Sequence, residues 1–163
     1  MRARKANRAM NIRQASSQDA AELTRIAHEA KRHWGYPEHW MQRWDADLTI
    51  TPEFIADNHV YIAEDGDRVS GFYALAVKDQ KAELEHMWVV PDAIGTGVGK
   101  QLFLAAMEKA AELKLAAVEI SSDPNAEGFY RKMGAYRVGE TTSELDGEPR
   151  ILPRLSIDPA NNT

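Results

Sequence analysis

Three glycines at alternate positions, Gly95, Gly97 and Gly99, separate a strand-like run ending at Val90-Pro91 from a helix-like run starting near Val98. Glycine tolerates the backbone conformations of a tight turn and lets a ligand approach main-chain amides with no Cβ in the way. The amides at a helix start lack intrahelical acceptors, and the helix dipole favours negative charge there. Such a strand–loop–helix unit reads as a cradle for a pyrophosphate, built from backbone. A formal net charge of −5 is then no obstacle to an anionic ligand. The same charge argues against bulk nucleic-acid binding, which needs a basic footprint.

Three readings compete for this loop. A Walker A loop requires glycine at 94 and serine or threonine at 101, where the chain has Ile94 and Gln101. A dinucleotide fingerprint requires glycine at position 100, which is Lys100, and normally follows a first strand. An ordinary strand-to-helix turn has no need of three alternating glycines. Neither nucleotide loop fits well.

The 163 residues include 44% hydrophobic ones, enough for one compact domain with a core. Absence of cysteine excludes disulfides, thiolate metal sites and a cysteine nucleophile. No apolar run is long enough to span a membrane, and no signal-peptide segment follows the basic Met1–Lys5; a cytoplasmic protein is expected. A strand over 11–15 precedes a helix capped by Ser16 or Ser17, with Ala20, Leu23, Ile26, Ala27 and Ala30 at helical spacing. Short helices follow at Pro37 and Thr51. Strands are expected at 60–63, 69–77 and 82–90, with a hairpin turn at Asp65-Gly66-Asp67. A helix over 98–113 carries an apolar stripe of Leu102, Ala106, Ala110 and Leu113. A strand at 116–120, a short helix over 125–133 and strands near 136–138 and 151–155 complete the order. That order predicts an α/β (α+β) domain with a mixed sheet and helices on both faces.

Two blocks resemble the GNAT acetyltransferases. Gly95-Thr96-Gly97-Val98-Gly99 fits the family's acetyl-CoA loop, R/Q-x-x-G-x-G/A, and Leu84–Pro91 resembles the strand before it. Asn125–Ala135 resembles the N-x-x-A-x-x-F-Y-x-x-x-G-F helix, with the spacing from Asn to Phe shortened. The resemblance covers about residues 11–156. It implies the GNAT fold, with a mostly antiparallel twisted sheet of about seven strands. Residues 1–9 are then a peripheral extension, 10–157 one acetyltransferase domain and 158–163 a tail. One departure stands out: the family's basic or amide residue falls on Ile94, leaving the pyrophosphate to backbone amides and Lys100.

The resemblance also implies roles. Trp88, Val89 and Val90 supply main-chain contacts to the pantetheine arm, with the Val89 amide polarising the thioester carbonyl. Ile94, Gly95, Thr96, Gly97, Val98, Gly99 and Lys100 surround the pyrophosphate. Tyr130 is the candidate general acid, since a thiol pKa of about 8.5 lies below that of tyrosine at about 10. Its alternative is a packed aromatic, and Phe129 and Met133 read as the buried side of its helix. Glu85 is the candidate general base, a carboxylate on a mostly apolar strand whose pKa burial would raise; the alternative is a solvated or substrate-anchoring carboxylate. Simple alternation puts Glu83 on its face and His86 on the other. Asn125 either bonds the coenzyme arm or caps a helix.

On the acceptor side, Trp34, Tyr36 and Trp40 form a candidate aromatic wall. With acidic neighbours Glu38, Asp45 and Asp47, it would hold a cationic amine through cation–π attraction. Alternatively, Trp40 and Trp44 are a core stripe. His28, His33 and His39 show no metal-ligand spacing, so no metal is expected. The expected partners are acetyl-CoA and a small-molecule or peptide amine, with no nucleic acid and no membrane. Family members often dimerise through strands like 150–156. A non-catalytic coenzyme-A-binding sensor on the same fold is the rival reading.

Overall fold

Seven strands are punctuated by turns in which glycine or aspartate takes a positive φ. The computed structural model describes residues 10–162, so the expected extension over 1–9 lies outside the described residues. In chain order the elements are β1 (Asn11–Gln14), α1 (Ala20–Arg32), α2 (Glu38–Arg43), α3 (Pro52–Asp57), β2 (His59–Asp65), β3 (Arg68–Lys78) and β4 (Lys81–Val89). After these come α4 (Val98–Glu112), β5 (Ala117–Ser121), α5 (Glu127–Lys132), β6 (Tyr136–Leu145) and β7 (Glu148–Ile157). The expected tail includes a 3₁₀ turn at Pro159–Asn162, with Pro159 buried.

The sheet order is β1-β2-β3-β4-β5-β7-β6. Every neighbouring pair is antiparallel except β4–β5. This is the mixed, mostly antiparallel sheet with helices on both faces that the element order predicts. One face is covered by α4, whose Leu102, Phe103, Ala106, Met107 and Ala110 are fully buried against strand residues such as Leu75, Val118 and Leu155. The stripe is wider than the sequence reading, which missed Phe103 and Met107 and included Leu113, an exposed residue just past the helix end. The other face packs Leu23, Ile26 and Ala27 of α1, with Met41 and Ile55, against Ile62, Phe72 and Ala74.

Local signals explain the boundaries. Asp19 accepts from the Ser16 amide at 2.8 Å, closing a 3₁₀ turn over Ser17–Asp19 from which α1 starts. Thr51 accepts from the Phe54 amide at 3.0 Å, with Pro52 in the first turn of α3. Gly71 meets a packing demand: a Cβ there would lie 2.5 Å from the Trp88 carbonyl oxygen.

The C-terminal hairpin differs most from expectation. Instead of two short strands it has two of ten residues each, joined at Asp146-Gly147 with φ of 57° and 79°. That aspartate–glycine pair is a two-residue hairpin signal that the reading passed over. β7 pairs with β5 over Arg154–Ile157 and with β6 over Glu148–Ser156, so the free edge on this side of the sheet belongs to β6.

Candidate active site

The central irregularity is the point where β4 and β5 part. They pair over three residues only, Lys81–Glu83 with Ala117–Glu119. Two residues beyond the last pair, β4 carries a bulge: Leu75 faces Leu84 and Ala74 faces His86, leaving Glu85 as the extra residue. The bulge inverts the side-chain alternation. Ala82 and Leu84 face α4 before it, and Met87 and Val89 face α4 after it. His86 and Trp88 therefore share the Glu83 face, which overturns the simple alternation that set His86 apart from Glu83.

A cleft of about 490 Å³ opens between the separated strands. β4 lines one wall with Glu85, Met87, Trp88 and Val89, while the end of β5, Asn125 and Tyr130 line the other. Ile94, Gly95, Gly97, Gly99 and Lys100 lie along the cleft, and Trp34 joins from beyond α1. Three expected coenzyme residues stand back from it. Val90 is buried on the α1 face, Val98 is buried under α4, and the Thr96 hydroxyl donates to the Ala93 carbonyl.

Main-chain direction along β4 refines the picture. The Val90 amide donates to the Ser70 carbonyl at 2.9 Å. Main-chain groups alternate along a strand, so Trp88 also points toward β3 while Met87 and Val89 point into the opening. Of the three residues expected to contact a pantetheine arm, only Val89 presents its main chain. Met87 is the second such residue, and locating it required the bulge register.

Gly95 and Gly97 hold φ of +83° and +94°, where side chains are strained. Gly99 needs no special φ; a Cβ there would sit 3.7 Å from the Phe129 ring and from a Val89 methyl, and its small size keeps that gap open. The first intrahelical bond of α4 runs from the Gln101 amide to the Gly97 carbonyl at 3.0 Å, so the Val98, Gly99 and Lys100 amides precede the ladder. Ile94 is exposed on the cleft, 48% accessible, where a cation could reach a phosphate.

Tyr130 is buried and packs against Phe129 and Phe103 at 5.4 and 6.0 Å between ring centroids. Burial, reinforced by the Asp123 carboxylate, pushes its phenol well above the usual range, so it stays protonated. Phe129, expected on the buried side of α5, is instead a partly exposed cleft residue. Glu85 opens toward solvent, yet partial desolvation and then the Glu83 carboxylate raise its pKa, against a lowering effect from Arg154. Arg154 binds both oxygens of Glu83 at 2.7 and 2.8 Å and also reaches Glu119 at 2.8 Å. It ties β4 to β5 on either side of the point where they separate.

Asn125 does not cap α5, whose N-cap is Ala126. Its amide nitrogen Nδ2 donates to Tyr36 Oη at 2.9 Å and to Asp123 Oδ1 at 3.0 Å. The aromatic wall is also arranged differently from expectation. Lys31 Nζ lies 4.3 Å from the Trp44 ring centroid and Arg150 Cζ 5.0 Å, and both lie over Tyr36. The chain's own cations thus occupy these rings. Trp40 donates to Asp146 outside the cleft, and Glu38 and Asp45 pair with Arg32 and His28. Among the described residues, no group of three or more histidine or carboxylate side chains is placed to hold a metal, and no helix is long and apolar enough to cross a membrane.

A family model described as the acetyltransferase (GNAT) family matches residues 20–135. Among solved structures, a GCN5-related N-acetyltransferase from Rhodopseudomonas palustris is 20% identical with a TM-score of 0.75, covering 91% of this chain and 94% of that one. PaiA N-acetyltransferase from Thermoplasma acidophilum, in complex with coenzyme A, is 20% identical with a TM-score of 0.74 over 92% and 99% of the two chains. YncA from Salmonella typhimurium with its cofactor acetyl-CoA is 16% identical with a TM-score of 0.68 over 92% and 94%. No curated protein sequence matches significantly.

Proposed function

The chain belongs to the acetyltransferase (GNAT) family, and on that premise we propose that it transfers an acetyl group from acetyl-CoA to a primary amine by direct attack. The observation that carries this reading is the parting of β4 and β5 after Glu83, with Glu85 and Tyr130 on opposite walls and the glycine loop alongside. Two of the structural relatives were solved with coenzyme A or acetyl-CoA.

Each residue's part follows from its chemistry. The Val89 and Met87 main chains extend β4 toward the pantetheine amides, as an added strand would. The Val89 amide donates to the thioester carbonyl as negative charge develops there. Val98, Gly99 and Lys100 offer amides, and Lys100 an ammonium, to the pyrophosphate. Glu85, its pKa raised, accepts the proton that the incoming ammonium must lose before nitrogen can attack. As the N–C bond forms and the C–S bond breaks, Tyr130 donates its phenolic hydrogen toward the departing thiolate.

Calorimetric titration with acetyl-CoA, with ATP and NAD as controls, tests the first half of this reading. Micromolar binding of acetyl-CoA alone is expected; an amine panel followed by free-thiol release tests the second. Ile94, in place of a basic residue, favours one rival: a coenzyme-A-binding sensor without turnover. Tight binding with no thiol release from any amine would favour that rival. The reading extends to a cytoplasmic protein, and to a homodimer that uses the free β6 edge and its exposed Tyr136 and Val138.

A further inference from the structure

Beside the cleft lies a part-buried polar cluster whose charges do not balance. Lys31, on α1, and Arg150, on β7, have side chains only 11% and 16% exposed. Between them stands one carboxylate, Asp123, 11% exposed. Lys31 Nζ donates to Asp123 Oδ2 at 2.6 Å, and an Arg150 terminal nitrogen reaches the same oxygen only at 3.5 Å. Tyr36 Oη donates to Asp123 at 3.0 Å while accepting from Asn125 at 2.9 Å and Arg150 at 3.1 Å. Asp123 Oδ1 takes the Asn125 main-chain and side-chain N–H groups as well.

Asp123 is therefore saturated with donors. Among the described residues, no other carboxylate lies within 4.0 Å of either cation. One buried and one part-buried positive charge face a single part-buried negative charge. Guanidinium groups keep their charge in proteins, and a buried charge without a counter-ion is unfavourable. Burial above all, with a smaller effect of the Arg150 charge, lowers the Lys31 pKa against the raising effect of Asp123. Among the described residues, the Arg150 guanidinium hydrogen-bonds through a single nitrogen, which leaves donors on the other two.

The cluster adjoins the cleft through Asp123 and Asn125, with Lys31 and Arg150 directly behind them. Asp123 and Asn125 line the same cleft as Glu85 and Tyr130, and the Asp123 charge is felt at the Tyr130 phenol. Resting on the acetyltransferase reading above, we propose that Arg150 and Lys31 form an oxyanion subsite, so that the amine acetylated here also carries a compact anionic group, a carboxylate or phosphonate. An amino acid or aminophosphonate satisfies this; a polyamine does not. The aromatic rings of Tyr36 and Trp44 hold the cations in place by cation–π contact instead of receiving the substrate ammonium. Planar guanidinium recognition of an oxyanion is bidentate, which fixes the amine's direction as well as its affinity.

A binding experiment separates this proposal from turnover. With coenzyme A saturating, the full chain is titrated with acetate and with methylphosphonate at constant ionic strength against chloride, reading thermal stability. Saturable stabilisation by either oxyanion is expected in wild type, at least tenfold weaker in Arg150→Met and partly retained in Arg150→Lys. Stabilisation no different from chloride, or equal in wild type and Arg150→Met, overturns the proposal. In the activity arm, matched amino acids and their carboxamides serve as acceptors with free-thiol release as readout. The free acids should be preferred at least tenfold in kcat/KM, and equal use of the carboxamides likewise overturns it. Acetyl-CoA affinity, measured separately, reports on the acetyltransferase reading itself; it can fail while the oxyanion site stands, or the reverse.

Discussion

The indole Nε1 of Trp88 donates to Nδ1 of His86 at 3.0 Å, on the β4 face turned toward α1 and α3. As i and i+2 on one strand the two residues share a face, and the Glu85 bulge turns that face toward α1 and α3. The contact requires a neutral His86 with an unprotonated Nδ1. Phe54 and Phe72 pack around the ring, with centroids at 5.6 and 6.0 Å, and burial lowers its pKa to about 4.

Acid should therefore destabilise the fold through His86. The folded pKa lies below the unfolded value, about 6.5, so the full contribution is present above pH 6.5. It is lost as pH falls toward 4, because the unfolded chain binds the proton first. The loss by pH 4.5 is about 2–3 kcal/mol at 1.36 kcal/mol per pKa unit. Urea unfolding at pH 7.5 and 4.5 should show wild type losing more than His86→Gln, which keeps an acceptor for Trp88. His59 shifts in the same direction and is common to both proteins, so it cancels in the comparison.

The bulge also marks the limit of what could be read from the chain. Local patterns carried the helices, the meander and the glycine loop, because periodicity and turn chemistry are properties of neighbours in sequence. The strand–loop–helix unit proposed to hold the coenzyme was legible as a unit of structure. What was not legible depends on register. Alternation counted straight through Glu85 assigns His86 to the wrong face and misses Met87, since a one-residue insertion flips every later side chain. The cations over the aromatic residues were hidden for another reason: Lys31 and Arg150 are 119 positions apart in the chain, and only the folded sheet brings both over Tyr36 and Trp44. Asp146-Gly147 was a local signal within reach and was passed over.

Tyr130→Phe should lower turnover at least a hundredfold, within the usual range for losing an acid–base group. Acetyl-CoA affinity should change less than threefold, because Phe103 and Phe129 pack against the ring rather than the hydroxyl. Free-thiol release against calorimetric Kd measures both. Unchanged turnover would remove Tyr130 from the reaction.

For Glu85, the pH profile is the sharper measurement. Its raised pKa places the acidic limb of kcat/KM above the ordinary glutamate range, with rate rising as the carboxyl deprotonates. Glu85→Gln should remove that limb and slow the reaction at neutral pH. Arg154→Met should shift the limb upward, since it deletes the charge that lowers Glu85 and frees Glu83, which raises it. A limb that stays put in Arg154→Met, or survives in Glu85→Gln, would assign the titration to the amine acceptor.

Two glycines should behave oppositely toward alanine. At Gly71 the new methyl would meet the Trp88 carbonyl at 2.5 Å, and backbone must move to relieve it. A loss of about 1–3 kcal/mol is expected, typical of overpacking. At Gly99 the methyl makes ordinary contact at 3.7 Å, so thermal stability should hold while acetyl-CoA binding weakens. Equal Tm for wild type and Gly71→Ala would show that β3 and β4 can separate without cost.

Ile94 offers a gain-of-function test of the loop. It is exposed on the cleft at the position where the family carries a basic or amide residue, and Lys100 is the cation closest to it in the loop sequence. Arginine there needs no new backbone conformation, since position 94 already has an extended φ of −63° and ψ of 134°. A guanidinium placed on a pyrophosphate adds charge-assisted hydrogen bonds, worth about 1 kcal/mol at an exposed site and hence about fivefold in Kd. Ile94→Arg should therefore bind acetyl-CoA about fivefold more tightly at low salt, with the gain shrinking as ionic strength rises. Lys100→Ala should weaken binding with the same salt dependence. If Ile94→Arg leaves Kd and its salt slope unchanged, the phosphates do not pass position 94, and the coenzyme must enter the cleft along a different line.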